Sequence, residues 1–346
     1  MSRFLQLHLL SFFPPANLNR DDTGRPKTAV VGGTTRLRLS SQALKRAWRT
    51  SDAFAAALEG HMGKRTQRLG DVILAFLRER GMGEPKALET AQAIASVFGK
   101  LEDAKDKPPA RIKQLAFISP QEQAAALAVA ERALAGEKFD PKSEPLLRQV
   151  DTAADIALFG RMLADAPDYN RDAAAQVAHA ITTHRVTVED DYYTAVDDLK
   201  TRADDAGAGF LGEAAFGSGV FYLYLCVDRM LLLKNLGGDA PLAATALGAL
   251  TQAAATVAPR GKQNSYAAHG RAQYVLAEAG DQQPRTLAGA FAKAVQHEDL
   301  VGESIAKLKK FRMDINEAYG KTYDDECEMT VGVQGTLADI VAFARL

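Results

Sequence analysis

The chain has 346 residues, 47% hydrophobic, 25% charged and 7% aromatic. That composition excludes a disordered, collagen-like or mucin-like chain and leaves enough length to bury a core without disulfides or structural metal. Its 42 basic and 43 acidic side chains give a net charge of −1, so net charge names no partner, and two cysteines, Cys226 and Cys327, exclude a disulfide framework and a four-cysteine zinc site. At about 100–200 residues per domain, two domains are the default, with one domain carrying large insertions as the alternative. The opening MSRFLQLHLLSFFPP is broken by Gln6, His8 and two prolines and lacks a small-residue cleavage site, so no signal peptide is expected. No stretch approaches the roughly 20 apolar residues of a membrane helix, and the chain reads as cytoplasmic.

Residues 4–10 (FLQLHLL) partly alternate and are β-prone, with Pro14 and Pro15 ending the stretch. The polar segment from Asn17 to Lys27 reads as a loop. Thr34 to Ser40 (TTRLRLS) alternates cleanly, with Arg36 and Arg38 on one face and Leu37 and Leu39 on the other, as in a half-buried strand. Ser40 or Ser41 is then the N-cap of a helix, QALKRAWRTSDAF. Between Ala53 and Ala180, alanine-rich helical segments (AFAAALEG, GDVILAFLRERG, ALETAQAIASVFG, SPQEQAAALAVAERALAG, TAADIALFGRMLAD) alternate with Gly, Pro and charged stretches. Their spacing is too irregular for a solenoid; Ser119 with Pro120 starts one helix and Gly136 stops it.

After Arg185 the texture turns β-branched, acidic and glycine-rich, and Arg185 to Val196 favours an extended hairpin over a flexible linker. VFYLYLCV (220–227) is a strand apolar on both faces. A helix over about 239–257, a basic loop PRGKQNSYAAHG, a β-prone QYVLAEA and helices near 286–297 and 301–318 complete the pattern. The order predicts an α+β fold with a small sheet covered on one side by helices.

Charge distribution carries the strongest local signal. No acid lies between Asp22 and Asp52, where Arg25, Lys27, Arg36, Arg38, Lys45, Arg46 and Arg49 all fall. Lys45 and Arg49 are four apart and share a helical face with Gln42 one turn earlier, while Arg36 and Arg38 share a strand face. Loop, strand and helix can therefore converge on one cationic surface suited to a phosphate backbone. The competing reading is a solvated surface whose acids lie elsewhere in the fold.

Catalytic patterns are weaker. Gly207 to Gly212 has the G-x-G-x-x-G spacing but does not join a strand to a helix, and Gly60 to Lys64 lacks the spacing of a P-loop. His179 and His184 are five apart and do not share a helical face as metal ligands would. The acidic pairs Asp21-Asp22, Asp190-Asp191, Asp197-Asp198 and Asp204-Asp205 are more often solvated than Mg²⁺-bound. Tyr192 and Tyr193 either pack the hairpin or stack on nucleobases, and Met162, after a helical run, is ordinarily core filler. Nothing here argues for an enzyme, a metal or a cofactor.

Longer motifs carry a resemblance. SFFPPANLNRDDTGRPKTAVVGG is followed by TRLRLSSQALKRAWR, VDTAADIALFGRM (150–162), AHAITTHRV (178–186), YYTAVDDL (192–199), FGSGVFYLYL (216–225), NLGG (235–238) and GKQNSYAA (261–268). In that order they resemble the CasC backbone subunit of the type I-E CRISPR Cascade complex, with weak similarity over about 55–145 and the last 50 or so residues. The resemblance implies an RRM-like (ferredoxin-like) palm over 1–58 and 218–346, a helical finger insertion over 59–180 and a β-hairpin thumb over 181–217.

It also implies copies lined head to tail along a guide CRISPR RNA, gripping the backbone without reading sequence and leaving bases exposed for a target DNA strand. Other Cascade subunits and a recruited helicase-nuclease, which does the cutting, are the further partners; no cofactor or membrane is implied. By position, Lys27, Arg38, Lys45, Arg46 and Arg49 meet the RNA, and Ser40, Ser41 and Gln42 assist. Asn19 and Arg20 line the same groove or the next subunit, Met162 enters at a kinked nucleotide, and Tyr192 and Tyr193 form the thumb wedge. Lys262 and Gln263 add weaker contacts from the second basic loop. The Tyr pair departs from the bulkier Trp-Phe that can occur, and FGSGVFYLY lacks the leading base of an RNP1 box, so bases need not stack on the sheet. The acid-rich segment 189–205, Asp197 and Asp198 included, is expected to face a neighbour's basic surface. The alternative is a type III-like backbone subunit that cleaves RNA with a loop aspartate, Asp21 or Asp22.

Overall fold

The computed structural model describes residues 2–103, 110–141, 143–195 and 210–346. Strands β1 (Phe4–Ala16), β2 (Thr28–Val31) and β3 (Thr34–Leu39) lead into helices α1 (Ser41–Arg49) and α2 (Asp52–Ala57). Next come β4 (Lys64–Thr66), α3 (Leu69–Glu79), α4 (Glu84–Ala95), β5 (Ala116–Ile118), α5 (Pro120–Leu134) and α6 (Ala154–Phe159). Then follow β6 (Ala175–Val177), β7 (Ala180–Thr182), β8 (Glu189–Ala195), β9 (Phe210–Asp228), α7 (Arg229–Asn235), α8 (Ala240–Thr256) and α9 (Gln263–Tyr266). The chain ends in β10 (Ala272–Gly280), α10 (Leu300–Tyr319), β11 (Asp325–Thr330) and α11 (Leu337–Arg345).

The fold is mixed α and β, built on an antiparallel sheet ordered β11-β10-β1-β9-β7-β3-β2, with β6 and β8 also pairing β9. β1 lies between β10 and β9, and its alternation sends Leu5, Leu7 and Leu9 to one face and Gln6, His8 and Leu10 to the other, all six buried. On the first face the three leucines share a core with Leu242, Ala246 and Leu250 of α8 and Ile340 of α11. On the second, Leu10, Tyr222, Tyr274 and Leu276 pack against Leu287, Phe291 and Leu308, so α10 and a 3₁₀ turn (Ala288–Phe291) close that side. The sheet is therefore larger than expected and covered on both faces. The segment 281–320 supplies the second cover, and its apolar contacts come partly from non-helical chain with no period to read.

Several local expectations change as well. β1 does not stop at the prolines: the β1–β9 register shifts between Phe13 and Ala16, and Pro14 and Pro15 occupy that irregularity, where the ladder needs no N–H from them. The helix expected over 42–54 breaks at Thr50, because Ser51 caps α2 by accepting the Phe54 N–H. The helix expected through Asp165 ends at Phe159, where Gly160 takes φ 79°. Only the 3₁₀ turn forms within 286–297. By contrast, α5 starts where the sequence says: Ser119 and Glu122 form a reciprocal capping box with Pro120 in the first turn.

A second core holds the inserted helices together. Leu69, Ile73 and Leu77 of α3 meet Ala87, Ala91 and Ile94 of α4 and Ala126, Val129 and Ala130 of α5, the alanines letting the helices approach closely. No helix among the described residues is long and apolar enough to cross a membrane.

The second sheet face carries a buried ionic network. Glu278 accepts from Arg285 at 2.6 and 3.0 Å and from Arg312 at 2.7 Å, with His8 Nε2 3.3 Å away. Burial alone would push the Glu278 carboxyl up, but the adjacent His8 ring and the Arg285 guanidinium hold it far below the usual range. Burial pushes the His8 imidazole down, keeping it neutral, and its Nδ1 lies 2.8 Å from Tyr222 Oη. Glu278→Gln strands Arg285 without its anion and is expected to destabilise the fold by about 3–5 kcal/mol. Urea unfolding tests this; a loss below about 1 kcal/mol would mean the network contributes no net stability.

Candidate nucleic-acid interface

The loop from Asn17 to Lys27 is held from within. Asn17 Nδ2 donates to the carbonyls of Gly24 and Ala215, both at 2.9 Å. Asn19 Oδ1 accepts the Ser40 N–H at 2.8 Å and its carbonyl accepts the Lys27 N–H at 2.8 Å. Asn19, expected in the groove, is thus the strut between this loop and the start of α1, while Arg20 is exposed. Asp21 Oδ1 accepts from Thr23 Oγ1 at 2.7 Å and from the N–H groups of Thr23 and Arg25 at 3.0 Å. These bonds, the Thr23 hydroxyl first, hold its carboxyl below the usual range. The geometry gives Asp21 a turn-closing role, with exposed Asp22 beside it.

Ser40 rather than Ser41 caps α1, its Oγ accepting the Ala43 N–H at 3.3 Å; Ser41 and Gln42 sit in the first turn, their side chains 3.4 Å apart. Lys27 and Arg38 line a small cleft with Asn19, Pro26 and Leu39. Arg38 Nη1 lies 2.8 Å from His179 Nδ1, so the imidazole accepts and is neutral. Burial, then the charges of Arg38 and Lys27, push that imidazole below its ordinary value.

Arg36 does not join this surface. It is fully buried, donating to Thr34 Oγ1 at 2.8 Å, the Thr182 carbonyl at 2.8 Å and the Phe291 carbonyl at 3.0 Å. The second cover of the sheet reaches over its end of β3 and leaves Arg38 outside. Gly32 permits that approach, since a Cβ there would collide with the Ala292 carbonyl.

The outer face of α1 meets the inserted unit. Lys45 Nζ lies 5.9 Å from the Phe159 ring centroid, and burial lowers its pKa. Arg46 is exposed. Arg49 is bound into the scaffold: Nε donates to Asp155 Oδ2 at 2.7 Å, Nη2 to the Gly63 carbonyl at 3.2 Å, and the guanidinium sits 4.7 Å from the Phe117 centroid. Burial pushes the Asp155 carboxyl up, against the Gly63 N–H and Arg49. Arg49 thereby joins α1 to α6.

Phe117 and Phe159 line a groove of about 570 Å³ together with Arg65, Leu115, Met162 and Asn170. Met162 is 81% exposed, which corrects its reading as core filler. Its neighbour Arg161 is buried on Glu122 at 2.7 Å, and the next side chain along the extended chain points outward. Arg65, on β4, was missed by sequence reasoning because it lies past Asp52, where acids resume. Its guanidinium is 4.9 Å from the Phe117 centroid, and burial, then the charge of Arg49, lowers its pKa. Arg49 pairs with buried Asp155, whose charge also reaches Arg65, while Arg46 and Arg49 repel the Arg65 guanidinium, so several cations gather near the Phe117 and Phe159 rings in a groove that Asp172 also lines.

The second basic loop packs on the first. A Cβ on Gly261 would come within 2.3 Å of the Leu18 carbonyl, and Arg260 Nη2 donates to the Thr50 carbonyl at 2.7 Å. Lys262 takes φ 50°, and the Gln263 amide closes its own loop on the Pro259 and Ala268 carbonyls, both at 3.1 Å. Tyr192 pairs with Glu213 and Tyr193 with Gly212, so the two rings lie on opposite faces of the β8–β9 ladder. Tyr193 covers Gly212, where a Cβ would come within 2.4 Å of its ring, and Tyr192 is 66% exposed. The two tyrosines do not form one platform. Gly207, Gly209, Asp197, Asp198, Asp204 and Asp205 lie outside the described residues, and Gly212 is in β9. Among the described residues, no three His, Cys, Asp or Glu side chains gather as a metal would need.

Residues 5–340 match the model of the CT1975-like protein family, Cas_CT1975. The chain belongs to this family. Two solved structures extend the family match to the fold. A chain of a "CRISPR RNA-guided surveillance complex, pre-nicking" is 32% identical over 99% of this chain and 100% of that one, with a TM-score of 0.86. A chain of a "CRISPR RNA-guided surveillance complex" is 28% identical over 97% and 94%, with a TM-score of 0.73. Comparison with curated proteins gives no match. Family and structures bear out the resemblance to a Cascade backbone subunit read from the motifs.

The two arginines on α1 predict opposite behaviour. Arg49→Ala leaves buried Asp155 without its cation and should destabilise the protein by roughly 3 kcal/mol, whereas Arg46→Ala should stay within about 0.5 kcal/mol. Denaturant unfolding of the two variants compares them directly.

Proposed function

We propose that this chain is a non-enzymatic backbone subunit of a cytoplasmic CRISPR RNA-guided complex of type I-E, binding guide RNA through its phosphates. In this reading copies associate head to tail along the RNA, a heterologous contact that a net charge of −1 favours over the repulsion of uniformly basic subunits. The palm is the RRM-like sheet, the fingers are the inserted helices, and the thumb is β8 with the start of β9. The observation that carries the proposal is the groove in which Arg65 and exposed Met162 lie with Phe117 and Phe159, with Lys45 at the Phe159 ring and Arg46 near enough to act on the Arg65 charge. Cations without acidic partners hold phosphates of any sequence, and an exposed thioether beside aromatic rings can hold two bases apart. The remaining bases stay free to pair with target DNA, so sequence recognition is left to the guide. Other subunits of the complex, and a helicase-nuclease recruited to it, complete the partners.

Co-expression with a guide array tests this. The expected product is nuclease-protected RNA in lengths rising by a constant increment. Lys45→Ala with Arg65→Ala should shorten the protected series and reduce the slope of log affinity against log salt by about 1.4, roughly 0.7 per lost phosphate contact. Protein free of nucleic acid even when partner subunits are supplied would overturn the reading.

His179 provides a pH test. In the free chain burial, and then the charges of Arg38 and Lys27, hold the ring's pKa down, and a phosphate bound between the two cations offsets the second of these. Binding should then take up a proton, so affinity rises as pH falls from about 7.5 to 6, near the ordinary imidazole range. His179→Asn should flatten that dependence in RNA titrations.

A further inference from the structure

We infer that Arg25 is a further phosphate-contacting residue, and that Asp190 of β8 masks it until a phosphate arrives. This rests on the RNA-binding reading above and adds to it a contact that competes with the RNA from within the chain. Arg25 Nη1 donates to Asp190 Oδ1 at 2.7 Å. Both side chains are about half exposed, at 46% and 45%. A pair as exposed as this is weakly held and screened by salt, so a phosphate that offers the guanidinium two oxygens displaces the carboxylate readily.

The loop places Arg25 for that exchange. Its N–H is fixed on Asp21 Oδ1 at 3.0 Å and its carbonyl accepts the Asp21 N–H at 2.9 Å, so its backbone does not wander. Two residues on, Lys27 lines the cleft that also holds Arg38. Arg25 therefore belongs to the same loop as Lys27, two residues away along the chain, with its charge occupied by an acid from another element.

That acid is part of β8, on the same ladder face as Tyr192 two residues later. A phosphate on Arg25 releases Asp190 and with it one tie between the loop and the strand that carries Tyr192. By linkage, whatever engages the β8 face also alters the affinity of the loop for phosphate.

The test uses the full chain and a single-stranded oligouridylate as probe. Asp190→Asn should tighten binding about two- to five-fold, the range a weak exposed ion pair can supply. Arg25→Ala should weaken binding and lower the salt slope by about 0.7. In the Arg25→Ala background, Asp190→Asn should then have no effect. Asp22→Asn removes a charge from the same loop without touching Arg25 and is expected to change affinity less than Asp190→Asn. If Asp190→Asn acts equally with and without Arg25, or no better than Asp22→Asn, the mask is wrong and only bulk charge is at work. Failure of the wild-type chain to bind the probe, alone and with partner subunits, would instead remove the RNA-binding reading itself. Thermal melting of each variant confirms that the exposed substitutions leave the fold intact.

Discussion

Burial of the central sheet on both faces governs the rest of this structure. β1 sits between two partners, with leucines under α8 on one side and a polar, aromatic row under α10 on the other. An RRM-like sheet ordinarily offers one face for stacking bases. Here Tyr222 and Tyr274 are sealed and Tyr222 is hydrogen-bonded to His8, so aromatic residues that look available in VFYLYL belong to the core. Among the described residues, the surfaces left open are loops, strand ends, the exposed β8 and the seam where inserted helices join the sheet.

That displacement explains the form of the candidate site. Its cations come from a loop, β3, α1 and β4, elements seated by apolar residues such as Leu37, Leu39, Leu44 and Trp48 and tied to their neighbours by polar contacts. Asn19 holds the loop to Ser40, and Arg49 holds α1 to Asp155. The scaffold uses some of its basic residues as internal fasteners and leaves others open. Arg36 and Arg49 are fasteners, whereas Arg46 is exposed and Arg65 lies over the Phe117 ring in the groove. A surface assembled from fastened and open charges keeps its shape whether or not its open members are engaged.

Much of the fold was legible where period and punctuation agree. Strand β3, the 220–227 part of β9, helix α5 with its capping box and helix α8 follow from alternation, apolar runs, caps and stops. The three-residue strands β4, β6 and β7 carry no measurable period and were not legible, nor were β11 and α11. The site divides in the same way. A run without acids pointed to Lys27, Arg38, Lys45 and Arg46, but charge density alone does not separate a buried guanidinium such as Arg36 from an exposed one. Arg65 lay past the end of that run and joins it only because the β4–β5 pair folds back toward α1. The tyrosine pair divides as well, since neighbours in sequence are on opposite faces once the segment is a strand.

β9 is continuous from Phe210 to Asp228, pairing β8 at one end and β1 at the other. Nineteen residues of strand extend about 60 Å. One end is clamped in the middle of the core, so the other is a cantilever with its root in buried, doubly paired strand. The offset between Tyr192 and the core is then set by covalent length and register, as on a ruler. A one-residue insertion in β9 between Gly217 and Gly212 would not merely lengthen the arm: it would turn every outer side chain to the opposite side. Length and facing are therefore inherited together, and the arm can change only in steps of two residues or by a bulge.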